Sequence, residues 1–213
     1  MAGTLSVQTI QGLATAADPT TVSIASGHIL HAPGHVINFG SYNTGYGSGA
    51  RLVTTSTSWQ TLNINGTNQA TFGSLTKHPS NGNVLAFNKK SSNSQLSIVL
   101  NFPSYNTPGG SGHGVRCMIS TDQTNYVVSD ILTNGPANGW GFHGYGGATA
   151  GMNNFTWSTY DNASYRNTIN TYTGDFYFYF QVYNWASTDT ISYIDHSDTY
   201  PKYGTVQVME VAQ

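Results

Sequence analysis

The sequence predicts an all-β protein, a jelly-roll β-sandwich head behind an extended, strand-poor N-terminal arm. Three observations support this. In the run from Asp175 to Trp185, Phe176, Phe178, Phe180 and Val182 fall on one parity, while Tyr177, Tyr179, Gln181 and Tyr183 fall on the other. Successive strand residues point to opposite faces, so this is a strand with one apolar face and one aromatic-polar face. Shorter alternating runs recur between clusters of Gly, Asn, Ser and Pro along most of the chain, the spacing of a sandwich. No segment sustains a helical period, so helix is expected to be nearly absent.

In chain order, residues 1–40 read as an attachment and trimerisation arm. The run Thr4-Leu-Ser-Val-Gln-Thr-Ile10 alternates Leu5 and Val7 against Ser6 and Gln8, a short strand with too few neighbours to make a domain. A loop holding Pro19 follows, then Val22-Ser-Ile24 and Ile29-Leu-His-Ala-Pro33. Such an arm needs a partner, either other copies of itself or a docking surface. Leu5, Val7 and Ile10 are its candidate attachment residues. Residues 41–50, with Tyr-Asn-Thr-Gly-Tyr-Gly-Ser-Gly from Tyr42 to Gly49, form a Gly-rich connector.

Residues 51–213 make the head. Ser58–Ile64 turns Leu62 and Ile64 inward and ends at the Asn65-Gly66 turn. Asn83–Phe87 comes next, then Leu96, Ile98, Leu100 and Phe102, an alternation that should stop at Pro103. Val115–Ser120, Tyr126–Leu132, Phe155–Tyr160, Ile191–Ile194 and Thr205–Val211 complete the set. The phenyl parity of 176–182 must face a second layer, which makes a sandwich or jelly roll. The tyrosine parity suits a surface half wet and half covered, a subunit contact or a ligand platform. Tyr177, Tyr179 and Tyr183 are assigned to the subunit interface.

Composition limits the function. Charged residues are 8% of the chain, against about 25% in a typical soluble protein. Ser, Thr and Asn supply about a third of it, so solubility comes from hydroxyls and amides, and weak repulsion between copies favours association. Seven Lys and Arg and a net charge of -2 argue against nucleic acid, which needs clustered cations. No apolar run is long enough to span a bilayer. The N-terminus lacks a signal-peptide pattern, so synthesis and residence in a cytoplasm are expected. Cys117 is the single cysteine and reads as a buried strand residue rather than a reactive thiol.

Several groups invite a chemical reading. His28, His31 and His35 could ligate a metal, imidazole suiting zinc or iron. Their spacing puts His28 and His31 on opposite faces of a strand, so one chain cannot chelate with all of them, and only a ring with one histidine from each of several chains would serve. Ordinary polar residues are the plainer reading, and no cofactor is expected. Asp195-His-Ser-Asp198 is the densest ionisable cluster. It reads as turn chemistry, because a glycosidase needs two facing carboxylates and Glu210, the sole glutamate, lies in the terminal strand. His78, His113, His143 and His196 accompany many serines, but nothing resembles a nucleophile elbow. Gly139–Gly147 lacks the Lys-Ser/Thr of a phosphate loop. Its Trp140, Phe142, His143 and Tyr145, spaced by glycines within an insertion from about Asn134 to Asn154, are the candidate ligand-binding residues. Exposed rings stack on sugar faces, and binding concentrates on loops; packing of these rings on the sheet is the plainer reading. Asn65, Asn154 and Asn162 head Asn-x-Ser/Thr triplets, which carry little weight if a bacterial cytoplasm makes the protein.

Gly3–Gly12 followed by Ser26–Val36, Thr54–Trp59 leading to Asn88–Ile98, and the ending Gly204–Gln213 together resemble virion structural and tail-fibre proteins of marine, chiefly cyanobacterial, phages. The resemblance covers both ends and the first half of the head well, and 103–175 poorly. It implies a jelly-roll head somewhat like the C1q/TNF group, in a homotrimer on an N-terminal stem, and it supplies no catalytic motif. The expectation is a non-enzymatic tail fibre located in the virion, meeting the host surface and anchored to other virion proteins by its arm. A capsid fibre or decoration protein is the first alternative. A carbohydrate-active depolymerase is the second.

Overall fold

The structure, a computed structural model, describes residues 34–45, 52–107, 113–129, 149–158, 171–184, 190–193 and 203–213. All of them belong to the compact unit Ala32–Gln213. They form strands β1 (Val36–Asn43), β2 (Leu52–Thr54), β3 (Gln60–Thr61), β4 (Ala70–Gly73), β5 (Leu75–Lys77), β6 (Leu85–Lys89) and β7 (Ser94–Thr107). β8 (His113–Ser120), β9 (Val127–Ser129), β10 (Thr149–Ser158), β11 (Gly174–Asn184), β12 (Thr190–Tyr193) and β13 (Thr205–Ala212) follow. No helix occurs among the described residues.

The strands build a seven-stranded sheet, in the order β2-β12-β7-β13-β1-β4 with β10 also on β7, and a six-stranded sheet, β5-β6-β11-β8-β9 with β3 also on β11. Every ladder is antiparallel. Eight strands define the topology. β1 pairs with β13, β6 with β11, β7 with β10, and β8 with β9. First therefore meets last, second meets seventh, third meets sixth and fourth meets fifth. That nesting is a long antiparallel hairpin rolled into two sheets, the jelly roll.

The core lies between the sheets. From β11 come Phe176, Phe178, Phe180 and Val182, each fully buried. Leu96, Ile98, Leu100 and Phe102 of β7 and Val206 and Val208 of β13 meet them from the other layer. Rings continue the stack: Phe102 lies 5.7 Å from Phe155, Phe155 5.9 Å from Trp157, and Trp157 5.4 Å from Phe180. Burying a side chain of this kind stabilises by about 1.5–3 kcal/mol. The phenyl parity is the core, as the alternation predicts. Cys117 is buried here too, and desolvation pushes its thiol well up, which makes it inert.

Some boundaries differ from the sequence reading. Val36–Asn43 is not arm or connector but β1, between β13 and β4. The sandwich thus begins before the Gly-rich run. A register shift between Val36 and Asn38 breaks the alternation that would have revealed the strand. β7 does not stop at Pro103. On one side it pairs with β13 up to Asn101 and with β12 from Ser104, so the proline sits where the partner changes and no continuous ladder is interrupted. β10 begins at Thr149 and pairs with β7 throughout, which removes residues 149–154 from the expected insertion. Leu62 and Ile64 are fully buried although the ladder of β3 spans only Gln60–Thr61. β2, β4 and β5 have no counterpart among the expected strands.

Candidate functional site

The second parity of β11 lies on the outer face of the six-stranded sheet, where Tyr177, Tyr179, Gln181 and Tyr183 are all half-buried. Each is covered from within the chain. The Trp59 ring lies 4.5 Å from that of Tyr183, and the Arg116 guanidinium sits 4.2 Å over Trp59. Arg116 Nε also donates to Gln181 Oε1 at 2.7 Å, its directly opposite residue in the β8–β11 ladder. Tyr126 meets Tyr179 edge-on at 4.9 Å, and His78 meets Tyr177 edge-on at 5.8 Å. Burial pushes the phenols of Tyr126, Tyr179 and Tyr183 up, so they stay neutral. Gly114, opposite Tyr183, makes room for the ring: a Cβ there would lie 1.9 Å from Tyr183 Cε1.

At the Tyr177 end the face dips into a depression of about 390 Å³, bounded by Lys77, His78, Gln123, Asp175 and Tyr177. Four pieces of chain build it, with Ala86 of β6 forming part of its lining. β5 and the following turn bring Lys77 and His78, the β8–β9 loop brings Gln123, and β11 brings Asp175 and Tyr177. The Ser80 backbone N–H donates to His78 Nδ1 at 3.2 Å, which leaves Nε2 as the donor to Gln123 Oε1 at 2.7 Å. Gln123 holds a left-handed backbone, φ 67°. The loop keeps that conformation because Asp122 Oδ1 accepts from the N–H groups of Asn125 and Thr124 and from the Ser120 hydroxyl, at 2.8–2.9 Å. Oδ2 accepts from Asn125 Nδ2 at 2.6 Å. These bonds, led by those from Asn125, hold the carboxyl far below the usual carboxylate range.

Of the residues expected to form sites, only Tyr177, Tyr179, Tyr183 and His35 lie among those described. His35 is exposed just before β1, and its carbonyl accepts from the Ala212 N–H at 2.9 Å. No group of three or more His, Cys, Asp or Glu able to hold a metal occurs among the described residues. Leu5, Val7, Ile10, His28, His31, Trp140, Phe142, His143 and Tyr145 lie outside them, as do Asp195, His196 and Asp198. Glu210 is fully buried and is not among the residues that line the depression beside Tyr177. His78, Gln123, Trp59, Arg116 and Tyr126 escaped the sequence reading as partners of the tyrosines. Only the sheet brings them there, and no local pattern marks them.

No family model matches the sequence, and no curated protein matches it. Solved structures are similar at low levels. Eiger TNF from S. frugiperda aligns over 83% of this chain and 94% of its own, at 7% identity and a TM-score of 0.40. The infectious bursal disease virus Gx strain structure aligns over 91% of this chain and 42% of its own, at 11% identity and a TM-score of 0.35. An empty virus-like particle of Cowpea Mosaic Virus gives 90%, 84% and 11%, with a TM-score of 0.19. The jelly-roll assignment rests on the strand pairing above, not on these likenesses.

Proposed function

We propose that this chain is a non-enzymatic structural protein of a virion, a homotrimeric fibre whose jelly-roll head meets the host surface and whose N-terminal arm anchors it to the particle. The observation that supports assembly most is the outer face of the seven-stranded sheet. Phe39, Ser41 and Asn43 of β1, Ser97, Val99 and Asn101 of β7, and Gln207, Met209 and Val211 of β13 point outward, and none is charged. Phe72 beside them is 68% exposed. Outward positions without charge on these three strands offer copies of the chain no repulsion to overcome. The tyrosine face has less need of a subunit to cover it, because His78, Tyr126 and Trp59 already do so.

The native mass of the purified protein tests the trimer. Three chains of 22.9 kDa are expected in one particle, and a monomer at micromolar concentration refutes the assembly. Antibody labelling of intact virions tests location. Label on the tail supports the fibre, label on the capsid supports the decoration alternative, and virions without label refute the reading.

A further inference from the structure

We propose that the depression beside Tyr177 is a binding site for a neutral saccharide. Its walls supply what a sugar needs. Tyr177 offers a half-exposed aromatic ring, and His78 stands at 73° to it, so the two rings make a corner that an apolar sugar face can enter. Polar groups with spare capacity surround that corner. Asp175 accepts from Asn88 Nδ2 at 2.9 Å through Oδ1, and its Oδ2 has no partner among the described residues. The Tyr177 hydroxyl and the Gln123 amide N–H₂ have none either. Lys77 Nζ donates to Asn65 Oδ1 and, at 3.0 Å, to Gln69 Oε1, which leaves its third proton. Acceptors and donors in alternation suit vicinal hydroxyls, each of which both donates and accepts.

The charge balance selects the class. One carboxylate and one ammonium bound the depression, with no arginine among its lining residues. A phosphate or sulfate group would need convergent cations and would meet Asp175 instead. A purely apolar ligand would strip water from the carboxylate and the amide without replacing their hydrogen bonds. The volume falls in the range of small-molecule sites. The site is also formed in advance: the Asp122 bonds hold the loop, Gln123 in its left-handed conformation reaches His78, and His78 is set against Tyr177. Prior ordering lowers the entropy lost on binding.

The proposal rests on the reading above only for where the saccharide would be met, on a host surface. The test uses the full-length protein on an array of bacterial surface polysaccharides and of neutral oligosaccharides of glucose, galactose, N-acetylglucosamine and rhamnose, with titration calorimetry on what is retained. At least one neutral glycan should bind. Tyr177→Ala and Asp175→Asn should each weaken it about tenfold or more. Trp59→Ala, at the far end of the same face, should leave affinity within about twofold, and thermal melts confirm that each variant is folded. Retention of no glycan, retention of anionic glycans only, or equal loss with Trp59→Ala overturns the proposal. A trimer in the virion that binds no neutral glycan overturns this site alone. A monomer that binds through Tyr177 overturns the fibre reading alone.

Discussion

Replacing Glu210 by alanine is expected to destabilise the sandwich by about 3–5 kcal/mol, the cost of leaving several buried hydrogen-bond donors without their acceptor. Glu210 shares the inward parity of β13 with Val206 and Val208 and is fully buried. Its carboxylate accepts from the Lys90 N–H at 3.0 and 2.9 Å, the Ser91 N–H at 2.8 Å and the Ser94 hydroxyl at 2.6 Å. It therefore clasps the β6–β7 turn to the last strand. Alanine leaves two N–H groups and a hydroxyl without their acceptor, at about 1–3 kcal/mol for each one that stays dry. Lys89, also buried, loses a neighbouring opposite charge. Water entering the vacated space recovers part of the sum. Glu210→Gln keeps the volume and one acceptor oxygen, so about half the loss is expected. For a domain of this size the alanine variant should melt about 6–20 °C lower, read by calorimetry and by urea titration at unchanged m. An alanine variant within about 1 kcal/mol of the parent refutes the clasp. A glutamine variant as unstable as alanine shows that the charge, not the hydrogen-bond geometry, holds the turn.

Three further outcomes are expected. Burial, opposed by Glu210, lowers the Lys89 ammonium from 10.5 to about 8. Between those values the unfolded chain binds more protons, so stability should rise with pH from about 8 to about 10.5, by at most about 3 kcal/mol. Denaturant titrations across that range should show the rise, and Lys89→Met should flatten it. Gly114→Ala places a methyl into the Tyr183 ring and should cost about 1–3 kcal/mol; most of that loss should vanish in a Tyr183→Ala background, and additive losses contradict the steric account. Removing residues 1–31 should leave the unit Ala32–Gln213 folded, whereas removing 1–40 takes away five of the eight residues of β1 and uncovers β13. Soluble expression and circular dichroism distinguish the two, and equal behaviour of both truncations contradicts the role of β1.

Legibility followed the locality of the signal. β11, β7 and β13 alternate in the sequence because each buries one face of a sheet, and period two needs no knowledge of the partner. β1 does not alternate. Its inward positions are Gly40 and Tyr42, and a bulge near Val36 shifts the rest. Gly40 belongs to tertiary structure: a Cβ there would lie 2.5 Å from the Leu75 backbone nitrogen, a contact between residues far apart in the chain. β4 is exposed at all its positions, so it carries no apolar pattern. Glu210 offered its isolation as the only glutamate, but not the turn it would clasp. At the candidate site Tyr177 stood out in its strand, while His78 and Gln123 are ordinary loop residues until the β5–β6 hairpin and the β8–β9 loop bring them beside it.

By itself the sequence determined an all-β chain, a phenyl parity for the core, a tyrosine parity for the surface and a low-charge exterior. These are properties of short segments, set by side-chain size, polarity and the alternation of the backbone. Only the tertiary structure decided that first pairs with last and second with seventh, that β1 belongs to the sandwich, and that the tyrosines are covered by their own chain. A strand edge accepts almost any other strand through the same backbone hydrogen bonds. The choice among them is made by contacts such as Glu210 with Ser91, or Gly40 with Leu75, which exist only when the whole roll is closed.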